Sequence, residues 1–368
     1  MNDVFDIAVV GAGPAGSVAA VLLARAGRRV VLLDMATFPR RKVCGCCLNG
    51  LALSALTAAG LGDLPHSLGA IPLDRVKLAA NGRTATVRLP VGVALSREVM
   101  DAALVNEAVR AGATVRTGVK VKLGDLGPDG WTLSAGDETL RATVVIDATG
   151  LNGQLTSTDS SVSVGSRIGA GTVIDGPASY PSGVIHMATG GGGYVGLVRI
   201  EDGRLDVAAA FDPVFVRTAG GLGHAAEQVV KRSGLPSLPK LADADWKGTP
   251  PLTRTPRAVA GRRWFAIGDA TGYVEPFTGE GMAWALAAAV AVAPVALRAV
   301  DHWTERHAGE WAATHGRVVT RRQSVCRVAA RALRSPGLCA AVVRGLTVLP
   351  ALAVPVVRSL NQPFPGGS

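Results

Sequence analysis

Apolar and polar positions change period several times along this chain, and each change marks a predicted element. Residues 6–11, DIAVVG, make a short unbroken apolar run of the kind that fills a buried strand, and residues 28–34, RRVVLLD, make a second. Between them SVAAVLLARAG repeats its apolar positions at helical spacing and stops at Gly27. The predicted order is strand, tight loop, helix, strand.

Residues 68–95 alternate in short segments about Asn81-Gly82, a dipeptide of two-residue hairpin turns. SREVMDAALVNEAVRAG (96–112) reads as a helix with Ser96 as N-cap and Gly112 past its end. ATVRTGVKVKLGDL, GWTLSAG and ETLRATVVIDATG follow as strands, and the last returns the chain to the first unit. From 151 to about 260 the composition shifts to Gly, Ser, Thr and Val, with one helical pattern near 221–234. Residues 190–211 read as a strand, a turn at Glu201-Asp202-Gly203 and another strand. No helix follows the glycines at 190–193, so they read as a hairpin entrance and not a phosphate loop.

In RRWFAIGDATGYVEPFTGEGMAWALAAAVAVA (262–293) a strand delivers Asp269, a loop follows, and an apolar helix opens at Gly279-Glu280-Gly281-Met282. Sixteen uncharged residues, 282–297, fall short of the ~20 that cross a bilayer, and Pro294 interrupts them, so a buried helix is expected. The stretch GLTVLPALAVPVV (345–357) holds two prolines. It suits an interfacial membrane contact, core packing or a lid over an apolar substrate.

Composition narrows the chemistry. With 368 residues, 48% apolar and 18% charged, the chain has material for two or three packed units. The opening MNDVF lacks a basic n-region, which predicts a reducing cytoplasmic setting where paired thiols seldom form structural disulfides. The formal charge is +10, and from Arg298 onward ten arginines face only Asp301, Glu305 and Glu310. That end could touch anionic lipid or be a solvated face. Aromatic residues are 4% and no nucleic-acid motif is present, so no nucleic-acid partner is expected.

The first loop carries Gly11, Gly13 and Gly16 in G-x-G-x-x-G spacing, with Ala15 between. The first glycine makes the turn, the second admits a pyrophosphate, and the third lets helix and strand pack. Asp34, closing the second strand, is placed to accept hydrogen bonds from a ribose. Strand before, helix after and acid at strand end together predict a dinucleotide site. KVCGCC (42–47) sets Cys44, Cys46 and Cys47 within four positions. Zinc sites draw on two separated ligand pairs, and Cys326 and Cys339 are far away, so no metal is expected. The histidines show no ligand spacing either.

In order, GAGPAG, Asp34, FPRRKVCG (38–45), Arg97 at a helix start, DATG (147–150) and IGDATGYVEPFTGEGM (267–282) match one pattern. The chain resembles the FAD-dependent oxidoreductases of the p-hydroxybenzoate hydroxylase fold, and within them the geranylgeranyl reductase branch. The resemblance implies an α/β fold: a Rossmann-like FAD-binding domain in three pieces (1–67, 96–160, 256–300), an inserted, mainly antiparallel β-sheet substrate domain (68–95, 161–255) and a helical, basic C-terminal region (301–368).

It implies FAD held by Gly11, Gly13, Ala15, Gly16, Asp34, Arg40, Lys42, Cys44, Gly45, Arg97, Val121, Gly150, Asp269, Pro276, Gly279, Gly281 and Met282, with NADPH or NADH as a transient reductant. Reductases of this branch carry K-x-C-G-G-G where this chain has KVCGCC. Cys44 therefore matches the family cysteine and is the candidate catalytic proton donor or gate, its pKa lowered by Arg40, Arg41 and Lys42 or raised by burial. Cys46 and Cys47 stand where glycines are usual, and read as small buried replacements. Of the family's Y-x-W-x-F-P segment, Tyr194 is kept and Gly196 stands for the tryptophan, which implies a roomier pocket for a small apolar substrate. Hydride transfer to an activated double bond is the expected reaction, and oxygen insertion into an aromatic or polyketide-like molecule the alternative.

Overall fold

A computed structural model describes residues 3–152, 155, 161–255, 258–275, 277 and 279–364. Five parallel strands form the centre of the first unit, in the spatial order Trp264–Ala266, Glu138–Asp147, Asp3–Val10, Val30–Asp34, Thr114–Thr117. The apolar runs of the first four are buried on both faces, as parallel strands require, while the edge strand Thr114–Thr117 is only partly covered. Ile7, Val9, Val30, Leu32, Val144 and Ile146 point to a helical layer made by Pro14–Arg25, Gly50–Ala58, Arg97–Arg110 and Gly281–Asp301. Ala8, Val10, Val31, Leu33 and Val145 point the other way, under the hairpin Val121–Leu126/Trp131–Ala135. The order of elements expected for 6–34, 96–112 and 138–147 is the one found.

The long helix Gly281–Asp301 runs through Pro294 without a break and lies in the core, not across open solvent. Among described helices it alone has the length and apolarity to span a bilayer, with 67% of its most apolar window buried.

The second unit is a seven-stranded sheet, Lys247–Pro251, Ile168–Ile174, Leu205–Phe211, Gly193–Arg199, Val184–Gly190, Arg75–Ala80, Arg83–Arg88. It is antiparallel except where Val184–Gly190 meets Arg75–Ala80. Asn81 and Gly82 both take positive φ, +52° and +74°, as a primed hairpin turn demands. The glycines from 190 do form a hairpin, joining Val184–Gly190 to Gly193–Arg199. Two strands of the 68–95 segment, Ile71–Pro72 and Gly92–Ala94, leave the large sheet and pair instead near Cys47–Asn49. Helix Leu222–Ser233 covers one face of the large sheet through Ala225, Ala226, Val229 and Val230. The opposite face, rich in glycine and alanine, looks back toward the first unit.

The C-terminal helices Pro336–Val348 and Val354–Leu360 bridge the two units. Cys339, Val343 and Leu346 pack on Ala80, Ala85 and Val87 of the hairpin. At the far end Asn361 Oδ1 accepts from Gly50 N at 2.9 Å, and Asn49 Nδ2 donates to Leu360 O at 3.0 Å. The cap is thus tied at both ends.

Candidate functional site

Between the two units and under the cap lies a cavity of about 1570 Å³. Its closed end is the glycine loop. Gly11 sits at φ +106°, and a Cβ there would stand 2.2 Å from Ala148 O. At Gly16 a Cβ would stand 1.8 Å from Gly11 O, so only glycine lets the helix Pro14–Arg25 start this close to the strand. Gly13 is different: the nearest atoms to its missing Cβ are Arg97 Nη2 at 3.7 Å and Arg40 Nη2 at 4.0 Å. Space is left open beside it, flanked by two guanidinium groups. That is a cradle for the pyrophosphate of FAD at a helix N-terminus.

Asp34 is buried, with Oδ2 accepting from Ala12 N at 2.7 Å and Oδ1 from Ala36 N at 2.8 Å. It therefore fixes the loop as well as lining the cavity, which the expectation of a ribose acceptor did not include. Arg97 clamps Asp101 through Nε and Nη2, both at 2.7 Å, and Arg40 Nη2 lies 3.4 Å from Asp34 and 3.8 Å from Asp101. Two buried acids thus orient two arginines at the loop. Asp101 escaped the sequence reading, although its i,i+4 spacing from Arg97 was a visible signal.

Of the other expected cofactor contacts, Ala15, Arg40, Lys42, Cys44, Gly45, Val121, Gly150, Asp269, Gly279, Gly281 and Met282 all line the same cavity. Gly16 lies behind the loop as a packing residue, and Pro276 falls outside the described residues. The N-terminus of Gly281–Asp301 opens on the cavity wall, so its unpaired N–H groups face the space where a flavin ring would lie. Burial raises the Asp269 pKa, against Lys42 and Arg97, while burial and then Arg40 and Arg97 lower that of Lys42.

The thiols divide sharply. Cys44 is lowered to about 6: a hydrogen bond from the Cys46 thiol is the largest cause, burial opposes it, and Arg97 helps. The expected influence of Arg40, Arg41 and Lys42 is replaced by Cys46 and Arg97. Cys46, at φ +52°, is raised well above its ordinary value by the same hydrogen bond and by burial, and Cys47 is raised by burial and by Asp206. Cys44 is thus the most acidic of the three thiols, beside two that their surroundings push the other way.

The substrate end is walled by the Gly- and Ala-rich sheet face. Tyr194 and Gly196 both line it, Tyr194 packing edge-on against Phe277 at 5.1 Å. Gly196 is less roomy than expected, since a Cβ there would lie 3.0 Å from Met187 Sδ. Beneath Tyr194, Arg167 pairs with Glu275 at 3.0 Å. Tyr273, Met187 and the cap residues Val342, Leu346, Leu352 and Val356 also line the chamber, and none was foreseen individually. Among the described residues no group of three or more His, Cys, Asp or Glu is arranged to hold a metal ion.

Residues 4–163 match the family model described as FAD binding domain. The chain is 55% identical over 62 residues to the menaquinone reductase of Mycobacterium tuberculosis, a match covering 17% of this chain and only 15% of that protein's length. It is 27% identical over 342 residues to digeranylgeranylglycerophospholipid reductase 1 of Methanothermobacter thermautotrophicus, covering 83% of this chain and 81% of the relative. Among solved structures, p-nitrophenol 4-monooxygenase PnpA from Pseudomonas putida superposes with a TM-score of 0.78 at 16% identity, covering 98% and 99% of the two chains.

Proposed function

We propose that this FAD-dependent oxidoreductase of the p-hydroxybenzoate hydroxylase fold, whose residues 4–163 match the FAD binding domain family, reduces an activated double bond in a long apolar molecule. One observation carries the reading: the cavity that begins at the glycine loop continues past Cys44 into a chamber roofed by the apolar cap. When bound, FAD supplies the hydride, delivered to it by NADPH or NADH. Arg40, Arg97 and the loop N–H groups hold its phosphates, and the N-terminus of Gly281–Asp301 favours negative charge at the ring. Gly196, Met187 and Ala210 shape a narrow apolar slot, and Cys44 handles the proton that the reduction takes up. The relatives named for reduction of a menaquinone and of a geranylgeranyl lipid support an isoprenoid-like substrate.

Such a molecule arrives from lipid. Eight of the fifteen exposed large apolar side chains among the described residues fall between Val328 and Val356, and Val342, Leu352 and Val356 belong both to that patch and to the cavity lining. No acid follows Glu310, while eight arginines do. We therefore read the cap as a peripheral docking face for anionic membrane with the cavity mouth at its centre.

Purified protein incubated with FAD should be yellow, and should oxidise NADPH or NADH anaerobically in the presence of a polyprenyl quinone. Labelled oxygen in the product would instead establish the monooxygenase alternative, to which the fold is equally suited.

A further inference from the structure

A thiolate is a poor proton donor, so if Cys44 is ionised at neutral pH the proton for reduction has to be stored elsewhere. The sheet face under KVCGCC shows where. Strand Leu205–Phe211 pairs with Ile168–Ile174 and Gly193–Arg199, placing Asp206 between Val173 and Val198. The neighbours on that face are Gly171, Gly196 and Ala208, and a Cβ at Gly171 would already touch Val43 at 3.2 Å. Asp206 is the one carboxylate that this strand trio brings beneath the cysteine segment. It is 6% exposed, and its Oδ2 has no hydrogen-bond partner among the described residues.

The Cys46 Sγ lies 3.8 Å from the Cys44 carbonyl oxygen, and Cys46 is the neighbour that lowers the pKa of both Cys44 and Asp206. A separate small pocket of about 30 Å³, room for one water, is lined by Asp206, Cys44 and Cys46 together with Lys247, Arg204 and Glu98.

We propose that Asp206 is the proton reserve of the site: a neutral carboxylic acid whose proton passes to the Cys46 thiol as that thiol passes its own to the Cys44 thiolate. The Cys44 proton then goes to the substrate carbon left electron-rich by hydride addition. Asp206 is left as a carboxylate and is re-protonated from solvent through the small pocket. One proton enters from water and one leaves in the product, so the relay is restored each turnover. Cys46 and Asp206 act through Cys44 and are positioning residues, and the proposal rests on the reductase reading.

The surroundings agree with a protonated Asp206. Burial and then the charge of Cys44 raise its pKa, Cys46 and Arg41 oppose them, and Glu201 adds a further push upward. Cys47 faces it as a neutral thiol, and the cations Lys42, Arg97, Arg204 and Lys247 and the acid Glu98 line the pocket around it.

The test uses the full-length, FAD-loaded protein at pH 7. Infrared difference spectra should show a carboxylic C=O band that shifts in heavy water and is absent from Asp206→Asn. Alkylation of Cys44 with iodoacetamide should move that band in wild type and leave it unmoved in Cys46→Ala. The alkylation-rate profile should keep its midpoint near pH 6 in Asp206→Asn, because a neutral group replaces a neutral group. Asp206→Glu should retain the band. A missing band, or an Asp206→Asn midpoint shifted to lower pH, would mean that Asp206 is ionised and would overturn the relay. Labelled oxygen in the product would remove the reductase reading and the relay's destination with it, whereas a missing band overturns the relay and leaves that reading standing.

Discussion

The glycine-loop end and the capped end of one cavity are built on opposite rules. At the loop, backbone meets backbone: the missing Cβ atoms of Gly11 and Gly16 would lie within 2.2 Å and 1.8 Å of carbonyl oxygens. At the cap, side chains meet solvent: Val342, Leu352 and Val356 are 48%, 59% and 49% exposed while lining the same space. The first end tolerates one residue type and binds one chemical group. The second is loose and greasy, and sets what can enter. Tight packing holds the cofactor, and incomplete packing admits the substrate.

The sharpest way to break the contrast lies in the loop itself. Gly11→Ala and Gly13→Ala differ by two positions yet should fail differently. In Gly11→Ala the new methyl group meets Ala148 O and the φ of +106° is strained, so FAD retention should fall more than ~100-fold, together with thermal stability. Gly13→Ala meets nothing closer than 3.7 Å, so its melting temperature without FAD should stay at the wild-type value while FAD binding weakens about tenfold. Equilibrium dialysis with FAD and a melting curve on each variant separate the two. Equal loss of stability in both would show that the loop is not packed as described.

At the cap the expected effect is smaller and of the opposite kind. Val342→Asp with Leu352→Asp should cut sedimentation with anionic vesicles by at least ~10-fold and leave FAD retention untouched. Arg344→Glu and Arg358→Glu should each weaken vesicle binding about fivefold, from ~1 kcal/mol per cation at a lipid surface, and more so at low salt. Binding to neutral vesicles should be weak throughout. If all three variants sediment like wild type, the cap is a lid and not a docking face.

The same contrast explains what the sequence disclosed. The loop end was readable because its constraints are local: GAGPAG, the acid ending the next strand and the apolar periods lie within thirty-five residues. The helix after Glu280 was readable too from its apolar run and Pro294, although the helix that forms has 21 residues, enough to span a bilayer, and its place in the core decides against that. The substrate wall was not. Asp206 sits in LDVAAAF, where an acid near a strand start looks like a solvent-facing turn residue. Only the pairing of three strands distant in sequence places it under the cysteines. Ile71–Pro72 and Gly92–Ala94 defected from the large sheet for a similar reason, since partner choice is settled by Cys47–Asn49 far upstream. For the cap, composition offered membrane contact, core and lid together. The tie of Asn361 to Gly50 was invisible in it.

Between the two ends, the thiols offer a finer test. Cys46 is the largest cause of the lowered Cys44 pKa, so Cys46→Ala should move the Cys44 alkylation midpoint from about 6 toward the ~8.5 of an ordinary thiol. Arg97→Lys should move it less, because Arg97 ranks behind the hydrogen bond and burial. If Arg97→Lys produced the larger shift, charge and not the thiol pair would control the site.

The smallest effect concerns the folded state in acid, and it asks whether the sheet and the first unit share one stability. His186 on the sheet, edge-on to Tyr180, and His315 at the end of the helix Arg306–His315 that packs on the first unit, edge-on to Trp311, are both buried, and burial lowers each from 6.5 to about 4. The unfolded chain therefore binds more protons than the folded one between those values. Their contribution is present above pH 6.5 and is lost as the pH falls through 4, by at most ~1.4 kcal/mol per pH unit for each ring. Asp206, Glu275 and Asp269 are raised and act with the opposite sign, gaining folded-state protons on acidification. The wild-type curve mixes the two, so differences between variants isolate the rings. In urea melts from pH 7 to 4, His186→Phe and His315→Phe should each flatten the acid loss, and the double variant should flatten it by the sum if the sheet and the first unit unfold together. A second transition appearing in one single variant alone would show that the two units come apart separately.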